Sequence, residues 1–488
     1  MRSSSSLLVL VVLLLLLLVL VPLVLAASKR EDYQAVSLAL EAVAKAKKAM
    51  AAVKGSAGKG ECKRLYEESE ERLRRVVGRD NGCSTDGLTW ISAAMTGHGT
   101  CLEGLRERNV SFGTLVGLGE EKEDHVMALL RRALATQATS MAACGSGHQI
   151  TVLKKNQTIH GMVMLEPWKP SSDKANIVVA QDGSGNHKSI SEAITAVGRW
   201  PNRGNTRAVI YIKSGVYSEY INIDMKNIMI VGDGIDKTII TGNHNVPDGF
   251  TTFGSATFSV SGDGFWARDM TFENTAGPQK HQAVALMVAS DKAVFYKCSF
   301  KGYQDTLYVH SQRQFFRDCD IYGTIDFIFG NSAAVLQNCN IYVRKPMDHQ
   351  SNMITAQGRE NPDQNTGISV HACRVFPDGD LKTVKGLFKS YLGRPWKQYS
   401  RTVFMKTDLD GMINPEGWAR WDGDFAVNTL YYGEYMNSGD GADTSKRVNW
   451  PGFHVLAGEE EAEMFTVRGF VEGEAWIPES GVPFWVGV

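Results

Sequence analysis

The sequence predicts an all-β domain, built as a parallel β-helix, that follows a small all-α helical bundle. Three observations lead to this prediction. The 488 residues are too many for one ordinary hydrophobic core. The first part of the chain has the apolar spacing of amphipathic helices. The later part contains short apolar runs that form a repeat, with intervals of about 20 residues between its middle units.

The chain opens with a long apolar segment. Residues 7–26 are almost all Leu and Val, and Pro22 and small residues end the run. This pattern is typical of a secretory signal peptide over residues 1–27. A signal anchor is the alternative, because about 20 apolar residues can just span a bilayer, but the proline and the small residues favour cleavage. Either way the remaining chain enters an oxidising compartment, which suits the glycosylation sequons at Asn109 and Asn156.

The charge of the chain limits its partners. The formal net charge is −1 at pH 7, and residues 175–488 carry more acidic than basic side chains. Nucleic-acid binding needs clustered Lys and Arg to neutralise phosphates, so we expect no nucleic-acid partner. We also expect no stable membrane association once the signal peptide is removed.

Residues 28–135 have a helical pattern. Leu65, Leu73 and Val76 fall near one face of a predicted helix whose other positions are charged. We expect an antiparallel helical bundle here. Residues 136–174 lack clear periodicity and end in a Pro- and Ser-containing stretch, which predicts a linker.

Residues 175–488 change to short β-rich runs broken by Gly, Asn and Asp. A repeat among them holds cysteines in one register, with Met270 at the same position of an earlier unit. Spacings of about 20 residues suit one coil of a parallel β-solenoid, in which equivalent residues stack about 4.8 Å apart. Unrelated strands are the alternative, and the shared register argues against it. The cysteines are Cys298, Cys319, Cys339 and Cys373.

Two aspartates follow the same register. Asp305 lies seven residues after Cys298, and Asp326 lies seven residues after Cys319. Aligned coils would stack the two carboxylates on one face, where one pKa rises and the other stays low. Such a pair supplies a proton donor beside an ionised nucleophile. A turn cap is the usual alternative for an aspartate, but both residues lie within apolar or aromatic runs.

Five stretches of the β-rich part are GVYSE at 215–219, QAVAL at 282–286, GYQDTLY at 302–308, GTIDFIFG at 323–330 and LGRPW at 392–396. In this order they resemble the signature stretches of the plant pectin methylesterases. The resemblance covers residues 175–488 and implies a right-handed parallel β-helix. It also implies removal of methyl groups from the C6 esters of cell-wall pectin, a methyl-esterified homogalacturonan, with release of methanol and pectate.

The resemblance implies a role for each residue of the site. Asp326 would be the nucleophile that forms an acyl-enzyme, and Asp305 would be the proton donor and later the base. Gln282 and Gln304 would stabilise the oxyanion, and Arg394 would keep Asp326 ionised. No metal and no other cofactor is expected. Core packing is the alternative for Trp396 and Phe329. The expected substrate contacts are Thr252, Gln282, Arg394, Trp396, Tyr308 and Phe329.

The N-terminal part resembles the inhibitor-like pro-region of the same family, through the stretches TWISAAMT and TCLEG. This resemblance implies a disulfide between Cys62 and Cys101, and it leaves Cys83 and Cys144 unassigned. The first cysteine pair and the dibasic processing site of the family pattern are absent. Inhibitor proteins of the pectin methylesterase inhibitor type are candidate partners.

In the β-solenoid, coil geometry allows either of two disulfides. Stacked residues have Cα atoms about 4.8 Å apart, inside the ~4.4–6.8 Å window of a disulfide. Cys298–Cys319 and Cys319–Cys339 both meet this condition. The family resemblance favours Cys319–Cys339, with Cys298 and Cys373 as free, buried thiols.

Another pectin-acting β-helix enzyme, a polygalacturonase or a lyase, is the alternative function. Paired acids also suit glycoside hydrolysis, whereas a lyase would need a calcium site of clustered carboxylates, which the sequence does not suggest. A non-catalytic pectin-binding protein would be expected to have a damaged site, yet every expected catalytic position is present. The sequence therefore favours a secreted cell-wall esterase.

Overall fold

The computed structural model describes residues 31–51, 59–78, 84–110, 112, 123–143, 162–163 and 175–488. The chain divides into two compact units, one within the first 151 residues and the other covering residues 103–109 and 152–488. The predicted signal peptide, Asn156, Cys83 and Cys144 lie outside the described residues. No helix in the described ranges has the length and apolarity needed to cross a bilayer.

The first unit is helical, as predicted. Leu65, Leu73 and Val76 are buried, each with at most 2% of its surface exposed, so the predicted apolar face packs inward. The predicted disulfide between Cys62 and Cys101 is present. The helices are α1 (residues 31–51), α2 (Lys59–Gly78), α3 (Asp86–Glu107) and α4 (Glu123–Ala143).

The helical region extends past residue 135, where we expected it to end. Helix α4 continues to Ala143. The added stretch is rich in Ala and contains neither Gly nor Pro, so its intrinsic propensity sustains the helix although it lacks an amphipathic period. The remaining boundaries, a linker up to residue 174 and a catalytic domain over 175–488, stay predictions.

The second unit is the predicted parallel β-helix, whose strands form three faces. Numbered in chain order, the strands of the first face are β2 (Ile177–Val179), β3 (Ala208–Ile212), β6 (Ile228–Val231), β9 (Trp266–Asn274), β11 (Ala293–Lys301), β13 (Arg313–Arg317), β16 (Ala333–Gln337), β19 (Gly367–His371), β22 (Arg401–Met405), β24 (Tyr431–Tyr435) and β25 (Phe453–Val455).

The long strands β9 and β11 bend and continue into the second face, so the first two faces share them. The other strands of the second face are β4 (Gly215–Ser218), β7 (Thr238–Gly242), β14 (Asp320–Gly323), β17 (Asn340–Val343), β20 (Arg374–Pro377) and β23 (Asp408–Leu409). The third face consists of β5 (Ile221–Ile223), β8 (Phe258–Val260), β10 (Leu286–Val288), β12 (Leu307–Val309), β15 (Ile328–Gly330), β18 (Asn352–Gln357) and β21 (Ser390–Gly393).

Short helices flank the coils. Helix α5 (Ile190–Gly198) begins with a capping box formed by Ser189 and Glu192. The other helices are α6 (Gly379–Lys382), α7 (Glu459–Glu463) and α8 (Val467–Val471), and the 3-10 turns are Phe253–Ser255, Pro278–Lys280, Lys385–Leu387, Gly473–Ala475 and Ile477–Ser480.

The C-terminal segment covers the outside of the first face. Val467, Trp476 and Phe484 pack in one buried cluster with Phe315 and Val335 of that face. Strand β26 (Phe484–Trp485) pairs antiparallel with β1 (Met162–Val163), inside the predicted linker. This covering explains why the first face is buried on both sides in its middle coils.

The predicted register of the cysteines is confirmed. Cys298 pairs with Met270 in the adjacent coil. The pairs Ser299–Asp320, Asp320–Asn340 and Asn340–Arg374 continue the same alignment, so each cysteine stacks on the next. All four side chains face the interior of the coil, where they belong to the main hydrophobic core.

The predicted disulfide Cys319–Cys339 is wrong. All four cysteines of the β-helix are free, buried thiols, which confirms the free state expected for Cys298 and Cys373. Stacked parallel strands project equivalent side chains in the same direction, so their Cβ atoms stay about 4.8 Å apart, beyond the ~3.5–4.5 Å of a disulfide. The Cys319 thiol instead donates to the Arg317 carbonyl at 3.3 Å, and the Cys339 thiol to the Gln337 carbonyl at 3.5 Å.

Candidate active site

Two equivalent turns on successive coils lead from the second face to the third. The first turn, residues 302–306, lies between β11 and β12, and the second turn, residues 323–327, leads from the last residue of β14 to β15. Leu307 pairs with Ile328, so Asp305 stacks on Asp326, as predicted. The Asp305 N–H also donates to the Ile325 carbonyl at 3.0 Å. The structure therefore brings both carboxylates to one point at the start of the third face.

Both aspartates adopt a left-handed backbone conformation, with φ of 64° at Asp305 and 50° at Asp326. This conformation costs roughly 1–2 kcal/mol for an L-residue other than Gly. The Thr306 hydroxyl holds the first turn by donating to the Tyr322 carbonyl at 2.9 Å. At Gly323 an added Cβ would lie 2.2 Å from Phe327 Cβ, so only glycine fits there.

The two carboxyl groups are equally buried but differ in acidity, because only Asp326 is hydrogen-bonded to Arg394. Asp305 and Asp326 are each only 6% exposed. Burial raises the pKa of Asp305 well above its usual value, and the charge of Asp326 raises it further. Burial also raises the pKa of Asp326, but hydrogen bonds from Arg394 oppose this. Asp326 therefore ionises first, while Asp305 keeps its proton.

Arg394 binds both carboxylate oxygens of Asp326 through one edge of its guanidinium. Nε donates to Oδ1 at 2.8 Å, and Nη2 donates to Oδ2 at 2.6 Å. The residue directly follows β21, and its N–H donates to the Thr355 carbonyl at 3.0 Å, which fixes the start of the side chain. Two parallel charge-assisted hydrogen bonds orient the carboxylate as well as stabilise its charge.

Sequence reasoning missed Trp421. The Arg394 guanidinium lies 4.4 Å from the centre of the Trp421 ring, in the range of a cation–π contact. Trp421 is 37% exposed and lies in a loop that no recognised stretch includes. The available signal was a tryptophan between polar residues and near Gly423, a composition that predicts a loop rather than the core.

The two glutamines lie on adjacent coils beside the aspartates. Gln304 directly precedes Asp305, and Gln282 precedes β10 on the coil before it. The N–H of Ala283 donates to the Gln304 carbonyl at 3.2 Å, which ties the two loops together. Both glutamine side chains are half-buried, and an amide NH₂ group can donate to a developing oxyanion.

Three aromatic side chains cluster on the third face. Tyr308 pairs with Phe329 across β12 and β15, and their rings stack at 4.2 Å. Trp396 meets both edge-on, at 6.4 Å and 5.9 Å. Tyr308 and Phe329 are buried, at 2% and 3% exposure, whereas Trp396 is half-buried. Trp396 is therefore the most open member of the cluster.

Thr252 lies on an earlier coil than the two aspartates. It precedes the turn Phe253–Ser255 on the coil of β8, and β8 pairs with β10, which pairs with β12. Thr252 is thus two coils from Asp305. Across the described ranges, no group of three or more His, Cys, Asp or Glu side chains is arranged to hold a metal ion.

Comparison with known proteins gives two family matches. Residues 176–474 match the pectinesterase family. Residues 26–143 match the plant invertase/pectin methylesterase inhibitor family. The two matches fall on the β-helix and on the helical bundle respectively, and the second reaches the observed end of α4.

Individual relatives agree with these matches. A probable pectinesterase/pectinesterase inhibitor 36 of Arabidopsis thaliana is 51% identical over 95% of this chain and 96% of its own. Pectinesterase 2 of Citrus sinensis is 50% identical over 88% of this chain and 81% of its own. The solved structure of a pectin methylesterase from carrot is 53% identical with a TM-score of 0.64, and the match covers 66% of this chain and all of the carrot chain.

Proposed function

The chain belongs to the pectinesterase family, and we propose that it hydrolyses the C6 methyl esters of cell-wall pectin with Asp326 as nucleophile and Asp305 as proton donor. As a pectinesterase it is a carboxylic ester hydrolase. The observation that carries the catalytic assignment is the buried pair Asp305–Asp326, in which only Asp326 is held by a guanidinium.

In the acylation step, an Asp326 carboxylate oxygen attacks the ester carbonyl carbon. The carbonyl electrons move to the carbonyl oxygen, and the side-chain amides of Gln282 and Gln304 donate hydrogen bonds to that oxyanion. Collapse of the intermediate breaks the bond to methoxide, which takes the proton of Asp305 and leaves as methanol. The products of this step are methanol and an acyl anhydride on Asp326. Loss of one oxyanion donor typically costs ~10²–10³ in rate.

In the deacylation step, Asp305 acts as the base. Its carboxylate takes a proton from water, and the hydroxide attacks the galacturonyl carbonyl of the anhydride. The same amides stabilise the second oxyanion. Release of the Asp326 carboxylate completes the cycle, and Asp305 holds a proton again. The raised pKa of Asp305 and the hydrogen bonds that Arg394 donates to Asp326 support this division of roles.

The substrate contacts follow from the same arrangement. Trp396 offers a partly exposed ring to a galacturonate residue, and aromatic rings bind the apolar faces of sugars by apolar contact. The rings of Tyr308 and Phe329 pack against the Trp396 ring. Thr252 is assigned to a more distant sugar residue, two coils away.

We also propose that the protein is secreted to the cell wall and that its helical unit is an inhibitor-like pro-region. The apolar segment at residues 7–26 and the sequons at Asn109 and Asn156 support secretion. The inhibitor-family match over residues 26–143 supports the second assignment. Proteins of the pectin methylesterase inhibitor type remain the proposed partners, and no nucleic-acid partner is expected.

Methanol release from highly methylated pectin by the purified protein tests the proposal. We expect methanol to appear with a matching release of protons and without new reducing ends. New reducing ends without methanol would identify a polygalacturonase instead, and an unsaturated product absorbing in the ultraviolet would identify a lyase. Fully de-esterified pectate is the matched control substrate, which should give no product.

A further inference from the structure

Arg344 touches both turns that carry the aspartates. It directly follows β17, on the coil after that of Asp326. Its N–H donates to the Gly323 carbonyl at 2.8 Å, at the start of the second turn. Its Nη1 donates to the Gly302 carbonyl at 3.1 Å, at the start of the first turn. One residue therefore connects the two turns from a third coil.

The side chain also packs on the first turn. The Arg344 guanidinium lies 4.0 Å from the centre of the Tyr303 ring, and Tyr303 is separated from Asp305 only by Gln304. Two coils span about 10 Å, a distance that few side chains other than an extended Arg can bridge. Its flat group can donate from one edge and stack on a ring with its face, which a Lys ammonium cannot do.

A contact with Asp378, on the side away from the first turn, keeps the Arg344 side chain pointing toward that turn. Its Nε lies 3.6 Å from Asp378, and the Arg344 side chain is only 24% exposed. Asp378 is itself fixed, because it caps α6 by accepting from the Gly379 N–H at 2.8 Å. The guanidinium is thus held between a carboxylate outside and the first turn inside.

We propose that Arg344 is a positioning residue that fixes the first turn, with Gln304 and Asp305, against the turn of Asp326. The proposal rests on the catalytic roles proposed above. Only one backbone hydrogen bond besides that of Asp305 joins the two turns among those described here, from the Thr324 N–H to the Tyr303 carbonyl at 2.9 Å. The proton donor Asp305 and the oxyanion donor Gln304 therefore lie on a short turn that begins at Gly302, and Arg344 holds this turn from its outer side.

The test compares Arg344→Met with Arg374→Met in the full chain. Met keeps an apolar stem but removes the donors and the flat group. Arg374 is the matched control on the next coil of the second face: its guanidinium lies 5.8 Å from the Phe376 ring and 4.0 Å from Asp408, and it is 68% exposed. Methanol release is measured against substrate concentration and normalised to the folded fraction.

We expect kcat of Arg344→Met to fall by about 10–100-fold with KM changed less than about twofold, because misplacing a reacting group by 1 Å costs rate rather than binding. Arg374→Met should keep both constants. A merely structural role would lower the unfolding temperature and leave kcat per folded molecule unchanged, and that result would overturn the proposal.

Arg344→Lys covers the case in which Arg344→Met does not fold. Lys keeps the charge, but it is shorter and has no planar group to stack on Tyr303, so we expect a partial loss of kcat, about 3–10-fold. A wild-type kcat in this variant would overturn the proposal. Asp326→Ala is measured in parallel: activity in Asp326→Ala would refute the proposed catalytic roles, whereas an inactive Asp326→Ala beside a normal Arg344→Met would refute only the positioning role.

Discussion

Replacing Arg394 by Met removes the only side chain found to hydrogen-bond Asp326 in the described structure. Met retains the apolar stem but supplies neither of the two donors, which lie 2.8 Å and 2.6 Å from the carboxylate oxygens. The Asp326 side chain is 8% exposed and that of Arg394 is 25% exposed. Water can therefore replace the lost hydrogen bonds only in part.

The cost to stability follows from this geometry. Breaking a buried ion pair by removing one partner costs about 3–5 kcal/mol. Because a quarter of the Arg394 side chain reaches solvent, we expect a smaller loss in the free energy of unfolding, about 2–3 kcal/mol where Asp326 is ionised. This loss should lower the unfolding temperature without preventing folding.

The pH dependence gives the sharper test. Arg394 opposes the rise that burial causes in the pKa of Asp326, so its removal raises this pKa further. A carboxyl group with a raised folded-state pKa is favoured at low pH and loses stability as the pH rises through that pKa. The stability deficit of Arg394→Met should thus be smallest in acid and grow with pH. The acid limb of the kcat profile should move to higher pH, because less of the nucleophile is ionised at any given pH.

Arg313→Met is the matched control, since it breaks a similar pair outside the site. Arg313 Nε and Nη2 lie 2.9 Å and 2.7 Å from Asp291. Burial raises the pKa of Asp291, but Arg313 more than offsets this and lowers it to about 2. We expect Arg313→Met to lose about 3–5 kcal/mol of stability while its acid limb stays in place. An unmoved acid limb in Arg394→Met would refute the role assigned to Arg394.

The remaining predictions use separate assays. Asp305→Asn imitates the protonated acid but cannot transfer its proton, so methanol release should fall by about 10²–10⁴-fold. The raised pKa of Asp305 destabilises the wild type as the pH rises, and Asn has no charge to bury. The unfolding temperature of Asp305→Asn minus that of the wild type should therefore increase with pH. A difference that decreases with pH would show that Asp305 is not the protonated member of the pair. Activity should be unchanged in excess chelator, since the proposed steps use only protein groups; loss of activity that added metal restores would contradict this. Peptide mapping without reduction should find the linked peptide Cys62–Cys101 and free thiols at Cys319 and Cys339, and a linked Cys319–Cys339 peptide would favour the expectation from sequence over the structure.

Much of the β-helix could be predicted because its geometry repeats. The coils that begin at Cys298 and at Cys319 are 21 and 20 residues long, so the spacing of these two cysteines also indicates how Asp305 and Asp326 stack. The family resemblance then supplied the remaining positions, including Arg394. The same repetition explains why the register was correct along several successive coils.

The features that sequence reasoning missed depend on directions and loops rather than on spacing. The Cα separation of stacked residues allows a Cys319–Cys339 disulfide, and it is the parallel direction of the two side chains, which keeps their Cβ atoms about 4.8 Å apart, that excludes it. Trp421 reaches Arg394 through an irregular loop, which has no period to extrapolate. Arg344 is a single arginine at the end of a strand, and its contact with Tyr303 appears only when three coils are stacked.

Methanol release by Asp326→Ala tests the central claim most directly. The covalent mechanism predicts a fall of at least about 10⁴-fold per folded molecule, as expected when a nucleophile is removed. Circular dichroism and thermal unfolding should show that the variant is folded, because Ala removes a buried carboxyl group and because the Arg394 side chain, which loses its partner, is 25% exposed and can be hydrated in part. A folded variant that keeps about a tenth of wild-type turnover would contradict the assignment of Asp326 as the nucleophile.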